Sequence, residues 1–231
     1  FLKNEKYNEL VFAPLDHAFA LGRLHSLIIS KHSLTLVDEF LFDKFFETYE
    51  IAKCNSVSIP AKLFKRIVEI NFDKFKKKMN NLKYVQVSTG YFPKKLRKKI
   101  IKSGINLFIN YGMTEAMRSS FLNCKKYPNK IETEGRPFKG VQFKIDMLPK
   151  KNFGKVFVRG KNLAIGYSDN KLWRVQLHKN WFNTGDLGSI DKNGFFIFKG
   201  RDAENINVNG VNYNLKLIEK KIGDYFKVIN L

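Results

Sequence analysis

Two short stretches of this 231-residue chain carry side chains suited to holding a nucleotide. The first is Asn110-Tyr111-Gly112-Met113-Thr114-Glu115, directly behind an apolar run. A strand end followed by a tight turn is where open α/β sheets take their ligands, and a tyrosine there offers a face on which a base can stack. The Thr114 hydroxyl can meet a phosphate oxygen. Glu115 can hold a divalent cation bridging phosphates, because hard cations such as Mg2+ prefer oxygen ligands. The plain alternative is a helix N-terminus with Thr114 as its cap. The second stretch is Trp181-Phe182-Asn183-Thr184-Gly185-Asp186-Leu187, followed by Gly200-Arg201-Asp202. An aspartate behind glycine in a turn can accept from both hydroxyls of a ribose. Arg201 can reach ribose or phosphate as a fixed planar donor. Each also has a plain reading, as a turn residue or a surface ion pair.

The elements that must position these residues alternate. Periodicity predicts a helix over 18–30, a strand over 33–37 and a helix over 39–53. In the last of these Phe42, Phe45, Phe46 and Tyr49 fall at helical spacing, which fits a buried helix face better than a ligand box. A strand over 55–59, a helix opened by Pro60, a strand over 82–88, a helix over 93–102 and a strand over 105–109 follow. Such alternation argues for a largely parallel sheet with helices on its faces. After about residue 130 helical periodicity stops. Short strands over 141–145, 155–159 and 195–199 take over, punctuated by glycine, with a hairpin signal at Asp191-Lys192-Asn193-Gly194. A second hairpin is expected around Asn209-Gly210 and a helix over 215–222. The expected fold class is α/β: a parallel-sheet layer with flanking helices, a small antiparallel β-barrel-like subdomain, and the start of an α+β C-terminal lid. The expected divisions are 1–130, 131–201 and 202–231.

In order and spacing, Tyr111 to Glu115, Gly135-Arg136-Pro137, Gly154 to Gly160, Gly166-Tyr167, Trp181 to Leu187, Gly194 to Arg201 and Val208-Asn209-Gly210 resemble the motifs of the adenylate-forming superfamily. Acyl-CoA synthetases, peptide-synthetase adenylation domains and luciferases form that family. Pro14-Leu15-Asp16-His17 is similar to its segment in which an aromatic or histidine lines the acyl pocket, and Ser88-Thr89-Gly90 to its Ser-Gly-Gly adenine-side loop. The resemblance covers nearly the whole chain. It implies an acid–thiol ligase working in two steps, through an acyl-adenylate and then a thioester. By residue it implies Thr89, Gly90, Asn110, Tyr111 and Gly112 around the adenine, Asp186 at the ribose hydroxyls and Arg201 at ribose or phosphate. Thr114 at the α-phosphate and Glu115 at Mg2+ would be catalytic. His17 would stand at the mouth of the acyl pocket, with a merely packed histidine as the alternative. The implied cofactors are ATP, Mg2+ and coenzyme A or a carrier-protein pantetheine. The implied partners are a small carboxylic acid and CoA or an acyl carrier protein.

The family's Ser/Thr/Gly-rich phosphate loop ending in Lys-Gly and its late lysine do not occur in these residues. The resemblance implies that they belong before Phe1 and beyond Leu231, and that this chain alone does not turn over. Lys155 stands where the family often has glutamate, Ala203 where it has a hinge acid or lysine, and Thr89 interrupts Ser-Gly-Gly.

The net charge of +21 raises nucleic-acid binding as a hypothesis. The cations are mostly scattered lysines, however, and the densest clusters, 74–78 and 94–102, read as solvated faces of amphipathic helices. Charge of this kind implies solubility and weak attraction to anionic surfaces such as membranes, not a specific nucleic-acid partner. No run of about eighteen apolar residues marks a transmembrane helix, and the first residues have no signal-peptide layout. Cys54 and Cys124 form neither a metal knuckle nor a disulfide framework and read as reduced thiols of a cytoplasmic protein. Two other readings stand beside the ligase. One is a catalytically inactive truncated relative that binds nucleotide or a partner protein. The other is a basic nucleic-acid module whose affinity would collapse with salt.

Overall fold

A computed structural model describes residues 6–37, 42–168, 177–202, 205–208 and 211–214. Its first layer is a seven-stranded sheet made by β1 (Asn8–Phe12), β2 (Ser33–Val37), β3 (Ser56–Pro60), β4 (Tyr84–Ser88), β5 (Asn106–Tyr111), β6 (Ser120–Asn123) and β7 (Arg136–Pro137). The order is β2-β1-β3-β4-β5-β6-β7. The first five strands pair in parallel, and β6 and β7 add antiparallel. Parallel pairing needs crossover connections. These are α1 (Ala18–Ser30), α2 (Phe42–Ile51), α3 (Ala61–Ile70) with α4 (Phe72–Lys78), and α5 (Lys94–Lys102).

The alternation expected for this part is present, with ends shifted by a few residues. The helix expected over 39–53 runs Phe42–Ile51, and residues 39–41 lie outside the described ones. Its Phe45, Phe46 and Tyr49 are buried, and Phe45 meets Phe12 of β1 with ring centroids 5.0 Å apart. On α3 the buried residues are Ala61, Phe64, Ile67 and Val68, the apolar stripe of an amphipathic helix. Strand β1 is not legible in the sequence because it carries a carboxylate at its second position. Glu9 is fully buried, and Arg23 of α1 satisfies it through Nε (2.7 Å) and Nη2 (2.5 Å). The Tyr84 hydroxyl donates to the same group.

The lysines of the two basic clusters stand outside: Lys74, Lys76, Lys77 and Lys78 on α4, and Lys95, Lys98, Lys99 and Lys102 on α5 are exposed. Arg97 departs from the solvated-face reading, being only 1 % exposed. Its guanidinium donates to Phe92 O (2.6 Å), Ile131 O (3.1 Å), Thr133 O (2.8 Å) and Glu134 Oε1 (2.8 Å). A planar fork of five donors can satisfy three carbonyls and a carboxylate in a dry interior, which a single ammonium cannot.

The second layer is antiparallel: β8 (Val141–Met147), β9 (Gly154–Gly160), β10 (Leu177–His178), β11 (Trp181–Ile190) and β12 (Phe196–Arg201). The expected hairpin joins β11 to β12. Asp191 Oδ1 accepts from the Asn193 and Phe195 amides at 2.8 and 2.9 Å, and Lys130 Nζ lies 2.5 Å from Oδ2. The layers are stitched by backbone: Glu134 N donates to Phe196 O (2.7 Å) and Phe196 N to Gly135 O (2.8 Å). Gly135 has φ +86°, and a Cβ there would collide with the Phe121 carbonyl, so no other residue fits this seam. Beyond it, β13 (Asn205–Val208) and β14 (Val211–Asn214) pair as a hairpin. Asn209-Gly210 and the helix expected over 215–222 lie outside the described residues. Among the described residues no helix is long and apolar enough to cross a membrane.

Arg97→Met leaves the Glu134 carboxylate and three carbonyls buried without their donor. Urea denaturation should show a loss of about 3–5 kcal/mol, with a large part recovered by Arg97→Met combined with Glu134→Gln. A second test uses pH. Burial pushes the Asp191 carboxyl up, but the Lys130 ammonium and the Phe195 and Asn193 amides outweigh it and hold the group below its ordinary range. A depressed carboxylate contributes stability at neutral pH that is lost as pH falls through its folded value. Asp191→Asn, which keeps the turn acceptor, should therefore cost about 1 kcal/mol at pH 7. The gap in Tm from wild type should close on acidification.

Candidate active site

The two layers meet over a cleft of about 940 Å³. The carboxyl ends of β4 and β5 open into it, the usual ligand position of a parallel sheet. His17, Thr89, Gly90, Asn110, Tyr111, Gly112, Thr114, Glu115, Asp186 and Arg201 all line it, so every residue singled out in the sequence converges here.

The best-defined group is Tyr111, Asp186 and Arg201. The Tyr111 hydroxyl donates to Asp186 Oδ2 at 2.5 Å, and Arg201 Nε lies 2.9 Å from Oδ1. Asp186 is 2 % exposed, whereas about half of the Arg201 side chain reaches solvent. Burial, and then the Asp186 charge, push the Tyr111 hydroxyl well above its ordinary pKa, so it stays a donor. Its ring is fixed against Phe196 (4.7 Å) and Phe143 (5.9 Å). Asp186 does not stand in a turn as expected. It belongs to the ten-residue strand β11, whose register against β9 shifts between Asn183 and Leu187. An irregularity of this kind re-aims side chains without ending the strand. Thr184 holds it, accepting from the Asp186 amide (3.1 Å) and donating to Val156 O (2.8 Å).

Beside Tyr111, the Asn110 Oδ1 atom is buried with no hydrogen-bond partner among the described residues. An orphaned acceptor in a cleft fits an incoming donor such as the exocyclic amine of a base. Thr89 adopts φ 54°, uncommon for a non-glycine residue. Its hydroxyl donates to Ser88 O (2.8 Å), while Ser88 Oγ donates to Asn110 O (3.3 Å), tying the ends of β4 and β5 together.

Thr114 caps no helix. Residues 112–119 form a loop closed by Ala116 N donating to Met113 O at 3.2 Å, and Thr114 is exposed on it. A Cβ at Gly112 would lie 2.7 Å from the Arg118 amide, so the tightness of this loop requires glycine. Glu115 accepts from the Tyr167 hydroxyl at 2.5 Å. Burial, and then the bond to Glu115, push Tyr167 up to about 12. The Gly166-Tyr167 pair stood out in the sequence only as a motif. In the fold its tyrosine fixes the Glu115 carboxylate in place. Among the described residues no three His, Cys, Asp or Glu side chains cluster as a metal site. The Glu115 carboxylate keeps acceptor capacity for a cation beyond its bond to Tyr167.

His17 is neither packed nor idle. It is exposed at the cleft rim as the N-cap of α1, its Nδ1 accepting from Phe19 N at 3.1 Å. Arg23, Arg118 and Glu134 also line the cleft and were not singled out. For Arg23 a signal existed, a cation interrupting an apolar helix. Arg118 offered none.

Comparison with known proteins agrees with this geometry. The family described as AMP-binding enzyme matches residues 3–168. The 2-succinylbenzoate–CoA ligase of Lactococcus lactis is 29 % identical over 92 % of this chain and 45 % of its own length. That of Listeria monocytogenes is 26 % identical over 97 % and 47 %. In fold, the chain is similar to O-succinylbenzoate coenzyme A synthetase of Bacillus subtilis in complex with AMP (TM-score 0.80, 20 % identity, covering 96 % of this chain and 47 % of that one). It is also similar to the amide bond synthetase McbA of Marinactinospora thermotolerans (TM-score 0.77, 21 % identity, 96 % and 46 %). The chain spans about half the length of the relatives it matches. With the match running through both the loop after β4 and the loop after β5, this chain belongs to the AMP-binding enzyme family.

Proposed function

We propose that these residues form the adenine-, ribose- and acyl-binding half of an ATP-dependent acid–thiol ligase. In the proposed reaction a carboxylate oxygen attacks the α-phosphorus of ATP, giving acyl-AMP and pyrophosphate. A thiol then attacks the acyl carbon and expels AMP. The observation that carries the reading is the convergence of ten residues, chosen for nucleotide chemistry, on one cleft around the buried Tyr111–Asp186–Arg201 group.

In this reading Tyr111 packs against adenine with Thr89, Gly90 and Gly112 close by, and Asn110 Oδ1 accepts from the base. A carboxylate has about four lone-pair sites, so Asp186 keeps acceptor capacity for ribose hydroxyls beyond its bonds to Tyr111 and Arg201. Arg201 reaches ribose or phosphate, and Thr114 meets the α-phosphate. Glu115, steadied by Tyr167, gives Mg2+ one oxygen, with phosphates and water completing the shell, as suits a cation that keeps several waters. His17 stands at the acyl entrance. Catalysis is electrostatic: donors and a cation sit where charge builds on the transferring phosphorus. The names of the relatives favour coenzyme A over a carrier protein as the thiol, and an acid of the succinylbenzoate class. Divisions at 130 and 201, a lid beginning at Asp202 and a cytoplasmic location belong to the same proposal.

The test is acid-dependent exchange of pyrophosphate into ATP, run on the longest natural polypeptide that contains these residues. Asp186→Ala and Glu115→Ala should each slow exchange by about 10²–10³-fold, the range for removing one preorganised electrostatic contact. A rate near wild type in either variant rejects the assignment.

A further inference from the structure

The α1 end of the cleft holds more positive charge than its protein neighbours neutralise. Arg23 is matched there by the buried Glu9. Arg118 is not. Its Nη2 is buried without a hydrogen-bond partner, and it makes no ion pair among the described residues. Burial, and then the nearby Arg23, disfavour its cation, with Glu9 only partly opposing. A guanidinium stays charged in proteins all the same. Two guanidiniums thus share one carboxylate, and the carboxylate is already held by Arg23 and Tyr84.

The fold keeps Arg118 in this place at some cost. Its φ is 52°, the left-handed region that non-glycine residues rarely adopt. Room for the side chain comes from Gly22 of α1, where a Cβ would stand 3.2 Å from Nη2. A buried, unsatisfied donor costs free energy that a ligand acceptor would return. The cleft wall around it also carries Ala18, Phe19 and Met117. An apolar body with an anionic end fits such surroundings better than a free phosphate does. The planar fork of arginine matches a carboxylate in bidentate geometry.

We infer that Arg118 receives a second carboxylate, at the far end of the acid that is activated, and so selects a dicarboxylic acid. The inference rests on the ligase reading above, in which the names of the relatives favour such an acid, and adds to it the residue of this chain that holds the second carboxylate.

Titration calorimetry tests it with 2-succinylbenzoate, with the two monoacids in which hydrogen replaces one carboxylate (4-oxo-4-phenylbutanoate and 2-propanoylbenzoate), and with AMP. The variants are Arg118→Asn, which suits a left-handed backbone, and Arg118→Lys, which keeps charge without the fork. Arg118→Asn should weaken the dicarboxylate by about 30-fold, the lower end for truncating one partner of a buried charge pair. Arg118→Lys should fall between it and wild type. AMP, and the monoacid lacking the carboxylate that Arg118 holds, should change by less than about twofold. Equal weakening of all three acids, weakening of AMP alone, unchanged affinities, or no acid bound by the wild type each overturn the inference. Pyrophosphate exchange alongside separates the two claims. Dicarboxylate bound through Arg118 with no adenylate formed removes the ligase and leaves the anion site. Exchange supported by an acid whose affinity ignores Arg118 removes the anion site and leaves the ligase.

Discussion

Asp186 is a carboxylate almost wholly withdrawn from water, and a buried charge persists only where donors replace its hydration. The chain supplies them from two directions. Tyr111 comes from the last position of β5 in the parallel sheet, and Arg201 from the end of β12 in the antiparallel one. The three residues therefore meet only when the sheets are docked. The backbone bonds between Phe196 and the Glu134-Gly135 segment fix the same docking from the opposite side of that strand pair. With the sheets held at these two places, the space between their ends becomes the cleft. The loops after β4 and β5 open into that space beside the Asp186 group.

Positive charge is divided between residue types on physical grounds. Lysines of α4 and α5 stay in water, where a strongly hydrated ammonium belongs. Two arginines, Arg23 and Arg97, go inside, whereas Arg66, Arg136 and Arg159 stay exposed. Arg97 fastens α5 to the segment ahead of β7, and Arg23 fastens α1 to β1 of the parallel sheet. Each can do so because a guanidinium distributes donors in a plane and each meets one buried carboxylate, Glu134 or Glu9. The net charge of +21 thus conceals two populations. One is a solvated surface, and the other a small set of interior struts.

Elements that obey a single period were legible in the sequence. On α3 the apolar residues at helical spacing, Phe64, Ile67 and Val68, are the buried ones, and the strands of the parallel sheet were legible as short apolar runs, β4 being buried at all five positions. Strand β1 was not legible, because Glu9 reads as a surface residue until Arg23 is brought to it by a helix fourteen positions on. The Asp186 segment was misread as a turn, since Gly185 interrupts an otherwise ordinary strand and a register shift leaves no mark in residue type. Site residues in ordered motifs, such as Tyr111 to Glu115, could be named because several types of chemistry stand side by side. Arg118 could not, because its meaning lies in a missing partner, and only coordinates reveal an absence.

Two polar atoms of residues that line this cleft, Asn110 Oδ1 and Arg118 Nη2, are buried and unmatched. Two residues on its wall, Thr89 and Arg118, hold left-handed backbone at about 1–3 kcal/mol each. A core under selection for stability alone would have replaced them with glycine or with apolar groups. An acceptor waits beside the base-side tyrosine and a donor beside α1, on opposite sides of Thr114 and Glu115 in the loop that joins them. In the proposed reaction that polarity orients the ligand, with the base toward Asn110, the second carboxylate toward Arg118 and the phosphorus–carboxylate junction between them.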